Sequence, residues 1–122
     1  MTAHDIGNTY VSLCRAGKNE EALATLFATD CVSVEAGGPP GMDRTAKGIE
    51  AIRAKGTWWN DNHIIHKAEL VGPFPHDDRF AVRFTYDITN KPSGQRIMMD
   101  EIGLFTVVDG KITKEEFFYT MG

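Results

Sequence analysis

The sequence predicts an α+β domain in which three N-terminal helices pack on a strongly curved antiparallel sheet. Three observations support this fold class. Strand-like runs fill the C-terminal third, the helix-like segments come before them, and an Asp-Gly pair separates two apolar runs. Helices that precede the strands, instead of alternating with them, are typical of α+β folds. A bent sheet wrapped by helices encloses a conical cavity, which is a natural small-molecule site.

Length and composition are those of one globular domain. The 122 residues can bury a core without disulfides or metals, and we assign residues 1–122 to a single domain. A formal charge of −4 leaves no basic surface for nucleic acid. The sequence has no apolar run of the roughly 18 residues that a membrane span needs, and no signal-peptide pattern. Cys14 and Cys31 lack metal-binding spacing, and we expect free thiols in a reducing cytoplasm.

The first two helices are predicted from apolar periodicity and from their end signals. Residues 4–16 repeat apolar side chains at helical spacing. Gly17 follows where a helix C-terminal glycine would stand, and Asn19 is typical of the N-cap of the next helix. The apolar positions of these two helices are Ile6, Tyr10 and Leu13, and then Leu23, Leu26 and Phe27.

A short strand, a loop and a third helix are predicted next. Residues 31–35 read as a strand, because Thr29 and Asp30 end the second helix. Residues 36–46 contain three glycines and two adjacent prolines, which favour a loop. The third helix starts near Gly48, and its apolar stripe consists of Ile49, Ile52, Gly56 and Trp59.

Four strands then form an antiparallel meander, over residues 63–71, 79–89, 97–108 and 112–119. Asp109-Gly110 separates the last two, and this pair is a strong hairpin signal because a type I′ turn needs two positive φ angles. Alternation along the first strand places Ile64, His66, Ala68 and Leu70 on one face. Alternation along the third strand groups Asp100 with Met98, Ile102, Leu104 and Thr106, and turns Glu101 to the other face.

Four segments, residues 10–17, 26–32, 48–53 and 105–112, carry a resemblance to a known group of proteins. Together with the element order, they resemble the nuclear transport factor 2-like superfamily, also called the cystatin-like cone. Within it the chain resembles the SnoaL-like branch, and it is distantly similar to ketosteroid isomerases. The superfamily also includes polyketide cyclases, limonene epoxide hydrolases, dehydratases and members with no known reaction, so the resemblance implies a fold more than a function.

The resemblance implies roles for individual residues. Tyr10 matches the tyrosine in the first helix of ketosteroid isomerases, and Glu35 falls, after one insertion, where their aspartate base ends the first strand. Their second oxyanion donor, a protonated aspartate in the penultimate strand, falls two residues from Asp100. Epoxide hydrolases and SnoaL-like cyclases use an aspartate near the end of the last strand. This chain has Thr120 there, and Glu116 is the available substitute.

Asp100 and His66 are candidates from their positions alone. A carboxyl group among apolar neighbours is costly to ionise, so the pKa of Asp100 should rise and make it a proton donor. The alternative is that Asp100 pairs with Arg83 or Arg96. The imidazole of His66 titrates near neutral pH and can act as a general acid or base, while a hydrogen-bonded core histidine is the alternative.

We therefore predict a small enzyme of the isomerase, cyclase or dehydratase kind that needs no cofactor or metal and acts on a hydrophobic carbonyl compound. Glu35 or His66 would take a proton, while Tyr10 and Asp100 would donate hydrogen bonds to the enolate oxygen. The alternative is a non-catalytic domain that binds or senses a small hydrophobic ligand. The expected pocket residues are Trp59, Phe84, Tyr86, Met98, Ile102, Glu116 and Phe118.

The predicted meander also indicates a homodimer. Phe105 and Val107 face opposite to Leu104 and Thr106, so both sheet faces carry apolar groups. One layer of helices cannot cover both faces, and we expect a second copy on the outer one. A third alternative for the function is a protein whose only activity is dimerisation through the outer sheet face. We expect neither nucleic acid nor a membrane as a partner.

Overall fold

The computed structural model describes residues 1–38, 40–41 and 43–120. This part of the chain contains three helices and six strands. In chain order they are α1 (Ala3–Arg15), α2 (Asn19–Leu26), β1 (Phe27–Val34), β2 (Thr45–Lys47), α3 (Ile49–Asn62), β3 (His63–His76), β4 (Arg79–Asn90), β5 (Arg96–Val108) and β6 (Lys111–Phe118).

The strands form one open, mixed sheet in the order β2-β1-β6-β5-β4-β3. Strands β3 to β6 make the predicted antiparallel meander. Strand β1 joins that meander in parallel with β6, and β2 pairs antiparallel with β1 at the sheet edge. The predicted α+β class, with three helices against a curved sheet, is confirmed, and the parallel β1–β6 pair is an addition to it.

Three elements differ from the prediction, and one of them is β3, which continues to His76 beyond its predicted end at residue 71. Strand β1 begins at Phe27, which the sequence pattern assigned to the second helix, and its register with β6 shifts before Val32. Thr29 and Asp30 lie within this irregular part of β1, so they do not separate α2 from β1. Strand β2 lies within the predicted loop, where Thr45–Lys47 pairs with the end of β1.

Two local sequence features determine a turn and a close helix–sheet contact. Asp109 and Gly110 have φ angles of 51° and 75°, so the predicted type I′ turn is present between β5 and β6. Gly7 lets α1 lie directly on the sheet, because a Cβ atom there would stand 2.8 Å from the Cβ atom of Pro73. The same atom would lie 3.0 Å from the ring of Phe80, which is fully buried.

The helices cover one face of the sheet, which we call the inner face, and leave the outer face open. Register pairs Phe80 of β4 with Phe105 of β5, and both side chains are fully buried on the inner face. Since side chains alternate along a strand, the odd-numbered positions of β5 point inward and the even-numbered positions point outward. Glu101 therefore faces inward, and Asp100 faces outward.

The two cysteines are free thiols, as predicted. Cys31 is fully buried, and burial raises the pKa of the partly buried Cys14 to about 11, which keeps this thiol protonated and unreactive. None of the helices in the described ranges combines the length and the apolar character that a membrane span requires.

Candidate active site

The inner face and helices α1 and α3 surround a broad concavity, which we call the inner cavity. Its volume of about 1800 Å³ exceeds the roughly 300–1,000 Å³ of ordinary ligand pockets, so it is an open basin and not a sealed chamber. Side chains from both the helices and the sheet line it, so a bound molecule would contact both layers.

Aromatic rings form one wall of the inner cavity. Trp59 of α3 lies 5.5 Å from Tyr86, measured between ring centroids, and Tyr86 stacks beside Phe84 at 6.1 Å. The ring of Phe117 meets Phe84 edge-on at 6.1 Å. Trp59, Phe84 and Tyr86 are thus on the side where a ligand-binding role was predicted, and that role stays a prediction. This wall suits an apolar, planar ligand.

Glu101 projects into the inner cavity from β5, where its Cα partner on β4 is Phe84. Burial raises the pKa of this carboxyl, and the negative charge of Glu35 adds to the effect, so that the pKa is about 7. The ammonium group of Lys55 opposes both effects. Glu101 can therefore hold or release a proton near neutral pH, which suits general acid–base chemistry.

Glu115 is a second inward carboxyl group, on β6 between Ser33 of β1 and Phe105 of β5. Its side chain is deeper than that of Glu101, since the residue is only 6% exposed. Burial raises the pKa of Glu115 to about 7, against the charge of Lys55 and a hydrogen bond with Ser33. The cavity thus holds two carboxyls that titrate near neutral pH.

Lys55 joins α3 to the end of β1 across the inner cavity. Its Nζ atom donates hydrogen bonds to Ser33 Oγ at 2.5 Å and to Glu35 Oε1 at 2.7 Å. Tyr119, after β6, donates its hydroxyl hydrogen to Glu35 Oε2 at 2.8 Å. Glu35 therefore has partners on both carboxylate oxygens, which fixes its orientation.

Tyr10 lies at the floor of the inner cavity with its ring in the core. The ring centroid is 4.7 Å from that of Phe105, and the residue is 8% exposed. Burial raises the pKa of the Tyr10 hydroxyl well above its ordinary value, with the nearby Cys14 and Glu115 adding to the effect. Tyr10 therefore keeps its proton and remains a hydrogen-bond donor.

Asp100 borders the open rim of the inner cavity but is not in the apolar environment that the sequence analysis expected. It lies on the outer face, where its two carboxylate oxygens accept hydrogen bonds from Arg83 at 3.0 and 2.7 Å. These bonds lower the pKa of Asp100, and both side chains are more than half exposed. The expectation of a raised pKa is wrong, and the alternative of an Arg83 pair is correct.

His66 is also on the outer face, because a β-bulge between Ile65 and Lys67 interrupts the alternation of β3. Its imidazole is exposed, with Nε2 2.7 Å from the hydroxyl of Thr89. The expectation that His66 shares a face with Ala68 and Leu70 is therefore wrong.

Four predicted pocket residues lie on the outer face, because they occupy the outward-pointing positions of their strands. Met98 and Ile102 occupy even-numbered positions of β5, and they are 68% and 38% exposed. Glu116 and Phe118 alternate outward on β6, where Glu116 lies 3.5 Å from Lys114 and Phe118 is 51% exposed. Met98 nevertheless lines the open rim of the cavity, so only the assignments of Ile102, Glu116 and Phe118 to the cavity wall are wrong.

The sequence analysis did not select Lys55, Glu115 or Tyr119, and it turned Glu101 away from the cavity. The sequence does contain a signal that Glu101 faces inward, because alternation along β5 places it on the same face as the buried Phe105. The other three are brought together only by the tertiary fold. No group of three or more His, Cys, Asp and Glu side chains in the described ranges is arranged to hold a metal ion.

Comparisons with known proteins give one family match and several similar folds. The SnoaL-like domain profile matches residues 1–119. A solved protein of Mesorhizobium loti is 41% identical to this chain, with a TM-score of 0.91. That protein is provisionally described as a SnoaL-like polyketide cyclase and also as a carbohydrate phosphatase. That match covers 98% of this chain and 100% of the other. No curated protein matches the chain.

Two further solved structures are less than 25% identical and show the fold alone. A Xanthomonas campestris protein of unknown function with a cystatin-like fold is 18% identical over 99% of this chain and 92% of its own, with a TM-score of 0.77. A hypothetical Catenulispora acidiphila protein with a ketosteroid isomerase-like fold, in complex with trimethylamine, is 20% identical over 98% and 88%, with a TM-score of 0.73.

Proposed function

Since the chain belongs to the SnoaL-like domain family, as its sequence pattern predicted, we propose that it is a small enzyme that moves a proton on a hydrophobic carbonyl compound. Family and fold indicate a small enzyme or a ligand-binding domain. The observation that carries the finer proposal is Glu101, a carboxyl group inside the inner cavity beside an aromatic wall, with a pKa of about 7. A base that titrates near the working pH is well matched to proton transfer.

The proposed chemistry needs only side chains of the cavity. The Glu101 carboxylate takes a proton from the carbon next to the carbonyl, and the bonding electrons move onto the carbonyl oxygen to form an enolate. Return of the proton to another carbon gives an isomer, loss of a β-hydroxyl group gives dehydration, and attack on a second carbonyl closes a ring. Glu115 is the second proton carrier, because its pKa is also about 7.

An exchange experiment tests this function without knowledge of the natural substrate. The protein is incubated in D₂O with hydrophobic ketones such as 2-tetralone, 1-indanone and acetophenone, and proton NMR follows the loss of the α-hydrogen signal. We expect at least one ketone to exchange about 10²-fold faster than in buffer or with heat-denatured protein. Ketones that bind in the inner cavity but exchange at the buffer rate would contradict the proposal.

A non-catalytic binding domain is the second candidate, and the openness of the inner cavity favours it. Enzymes that form enolates benefit from exclusion of water, whereas this basin is open to solvent. The same experiment separates the two candidates. Cavity resonances that shift on ketone binding, without faster exchange, would support the binding domain.

We propose in addition that the protein forms a homodimer through its outer face. Exposed apolar side chains occur there on three strands, at Ile64, Met98, Ile102 and Phe118. The cross-strand ion pair Arg83–Asp100 lies among them, because Asp100 stands between Met98 and Ile102 on the same face of β5, so the interface would contain charged as well as apolar groups. Gel filtration at low micromolar concentration should give the mass of a dimer, and a monomer mass would refute this.

A further inference from the structure

We propose that Lys55 is a catalytic residue, whose ammonium group donates a hydrogen bond to the substrate oxygen that becomes negative as the carbonyl compound loses its proton. The chemical role rests on the proposed function, whereas the oxygen-binding site itself follows from the geometry of Lys55. The ligand class that it fits is a planar compound with a carbonyl, enolate or phenolate oxygen.

The hydrogen bonds of Lys55 leave one donor for a ligand. A lysine ammonium group has three N–H donors and no acceptor. Ser33 Oγ and Glu35 Oε1 accept two of them, at 2.5 and 2.7 Å. Nζ also lies 5.5 Å from the centroid of the Phe117 ring, on the cavity side. The third N–H has no hydrogen-bond acceptor among the described residues, and the Lys55 side chain is 30% exposed, so a ligand in the inner cavity can reach it.

The anchoring of Lys55 makes this donor well placed for catalysis. A free lysine is a flexible chain that would lose entropy on fixing a ligand oxygen. Here two acceptors on β1 and the following residue hold Nζ before any ligand arrives, and Tyr119 in turn holds Glu35. Electrostatic stabilisation of a developing charge is strongest when the donor is preorganised in this way.

The other cations that border the cavity are committed to other partners. Arg15 donates to the carbonyl oxygen of Leu70 at 2.7 Å, and Arg44 donates to that of Ala36 at 3.0 Å. Arg53 forms ion pairs with two glutamates of the helices. Lys55 is the cation that faces the inward polar groups, which are Ser33, Glu35, Glu101, Glu115 and Tyr119.

Lys55 also stands within electrostatic reach of both proposed proton carriers. Its positive charge favours the ionised form of Glu101 and of Glu115, against the effect of burial on each. Lys55, Glu101 and Glu115 line the same cavity, so a substrate whose carbonyl oxygen binds Lys55 would present its neighbouring carbon on the side of these carboxylates. Glu101 takes the C–H proton, the bonding pair forms the C=C bond, and the carbonyl electrons move to the oxygen. Lys55 stabilises that oxygen through its hydrogen bond.

A phenol that titrates near neutral pH tests the site independently of turnover. 4-Nitrophenolate has a planar ring and a charged oxygen like an enolate, and it absorbs visible light only when ionised. Its apparent pKa is measured with saturating protein, by absorbance against pH. Lys55→Met removes the donors at similar length, and we expect it to raise the bound phenol's pKa by at least about one unit, a tenfold loss of phenolate affinity. Lys55→Arg should retain most of the effect.

Folding of the variants is checked by circular dichroism and thermal melting. If Lys55→Met does not fold, NMR of wild-type protein with ¹⁵N-labelled lysine gives the answer, because a shifted Lys55 Nζ resonance with 4-nitrophenolate supports the site and an unmoved one refutes it. Equal phenolate affinity in wild type and folded Lys55→Met also refutes it. Lys55-dependent phenolate binding without ketone exchange would contradict the proposed function and support this site.

Discussion

Replacement of Glu101 by glutamine is expected to slow α-hydrogen exchange of a responsive ketone by about 10²-fold, which returns it to the buffer rate, because a positioned base contributes at least this much. Glutamine has nearly the same shape but cannot accept the proton. The wild-type rate should rise with pH through about 7 and then level off, because ionised Glu101 is the reactive form and its pKa is about 7. NMR exchange rates in D₂O between pH 5 and 9 measure both effects.

Asp100→Asn is the matched control for Glu101→Gln. The two residues are neighbours on β5, but Asp100 points to the outer face and pairs with Arg83. Its replacement should leave the exchange rate and its pH dependence unchanged. If Asp100→Asn abolished exchange while Glu101→Gln did not, the assignment of the inner face as the reactive side would be refuted. A wild-type rate that does not vary around pH 7 would exclude Glu101 as the base.

The fold was predictable because its strongest signals are local. The Asp109-Gly110 turn needs only two residues, and it fixes the hairpin of β5 and β6. The end of α1 is likewise set by a nearby residue, Gly17, whose φ angle is 76°. The prediction of Asn19 as the N-cap of α2 is wrong, because Lys18 occupies that position without a side-chain cap and Asn19 is the first helical residue. The parallel pairing of β1 with β6 was not predictable in this way, because its partners are about eighty residues apart, as in the pair Val34 and Glu116.

The site was harder to predict because it depends on which of the two alternating sets of side chains on a strand faces the helices. Strand β5 carries apolar groups in both phases, so alternation alone could not tell whether Phe105 or Leu104 faces the helices. Choosing the wrong phase moved Asp100 inward and Glu101 outward in a single step. In β3 a bulge at His66 reversed the phase halfway along the strand, which periodicity cannot reveal.

The partners of Lys55 were hidden for a different reason. Ser33 and Glu35 lie about twenty residues before it, and Tyr119 reaches Glu35 from the other end of the chain. No short motif joins these residues. The raised pKa values of Glu101 and Glu115 likewise come mainly from burial, which only the folded chain establishes.

Replacement of Glu115 by glutamine is expected to stabilise the protein at pH 8 by up to about 3 kcal/mol, and to change its stability much less at pH 4. The folded-state pKa of about 7 lies above the ordinary value of 4.5, so the folded protein binds this proton more tightly than the unfolded chain. The associated stability is full below pH 4.5 and is lost as the pH rises towards 7. A difference of about two pKa units or more corresponds to roughly 3 kcal/mol.

Urea unfolding at pH 4 and pH 8 measures this difference, with Glu116→Gln as the control. Glu116 follows Glu115 on β6 but points to the outer face near Lys114, so its replacement should have little effect at either pH. A Glu115→Gln variant that is less stable than wild type at pH 8 would show that the buried carboxylate is well compensated. If the predicted gain is found, the natural Glu115 lowers stability at neutral pH. A carboxyl that lowers stability while titrating inside a ligand cavity has the properties expected of a functional group.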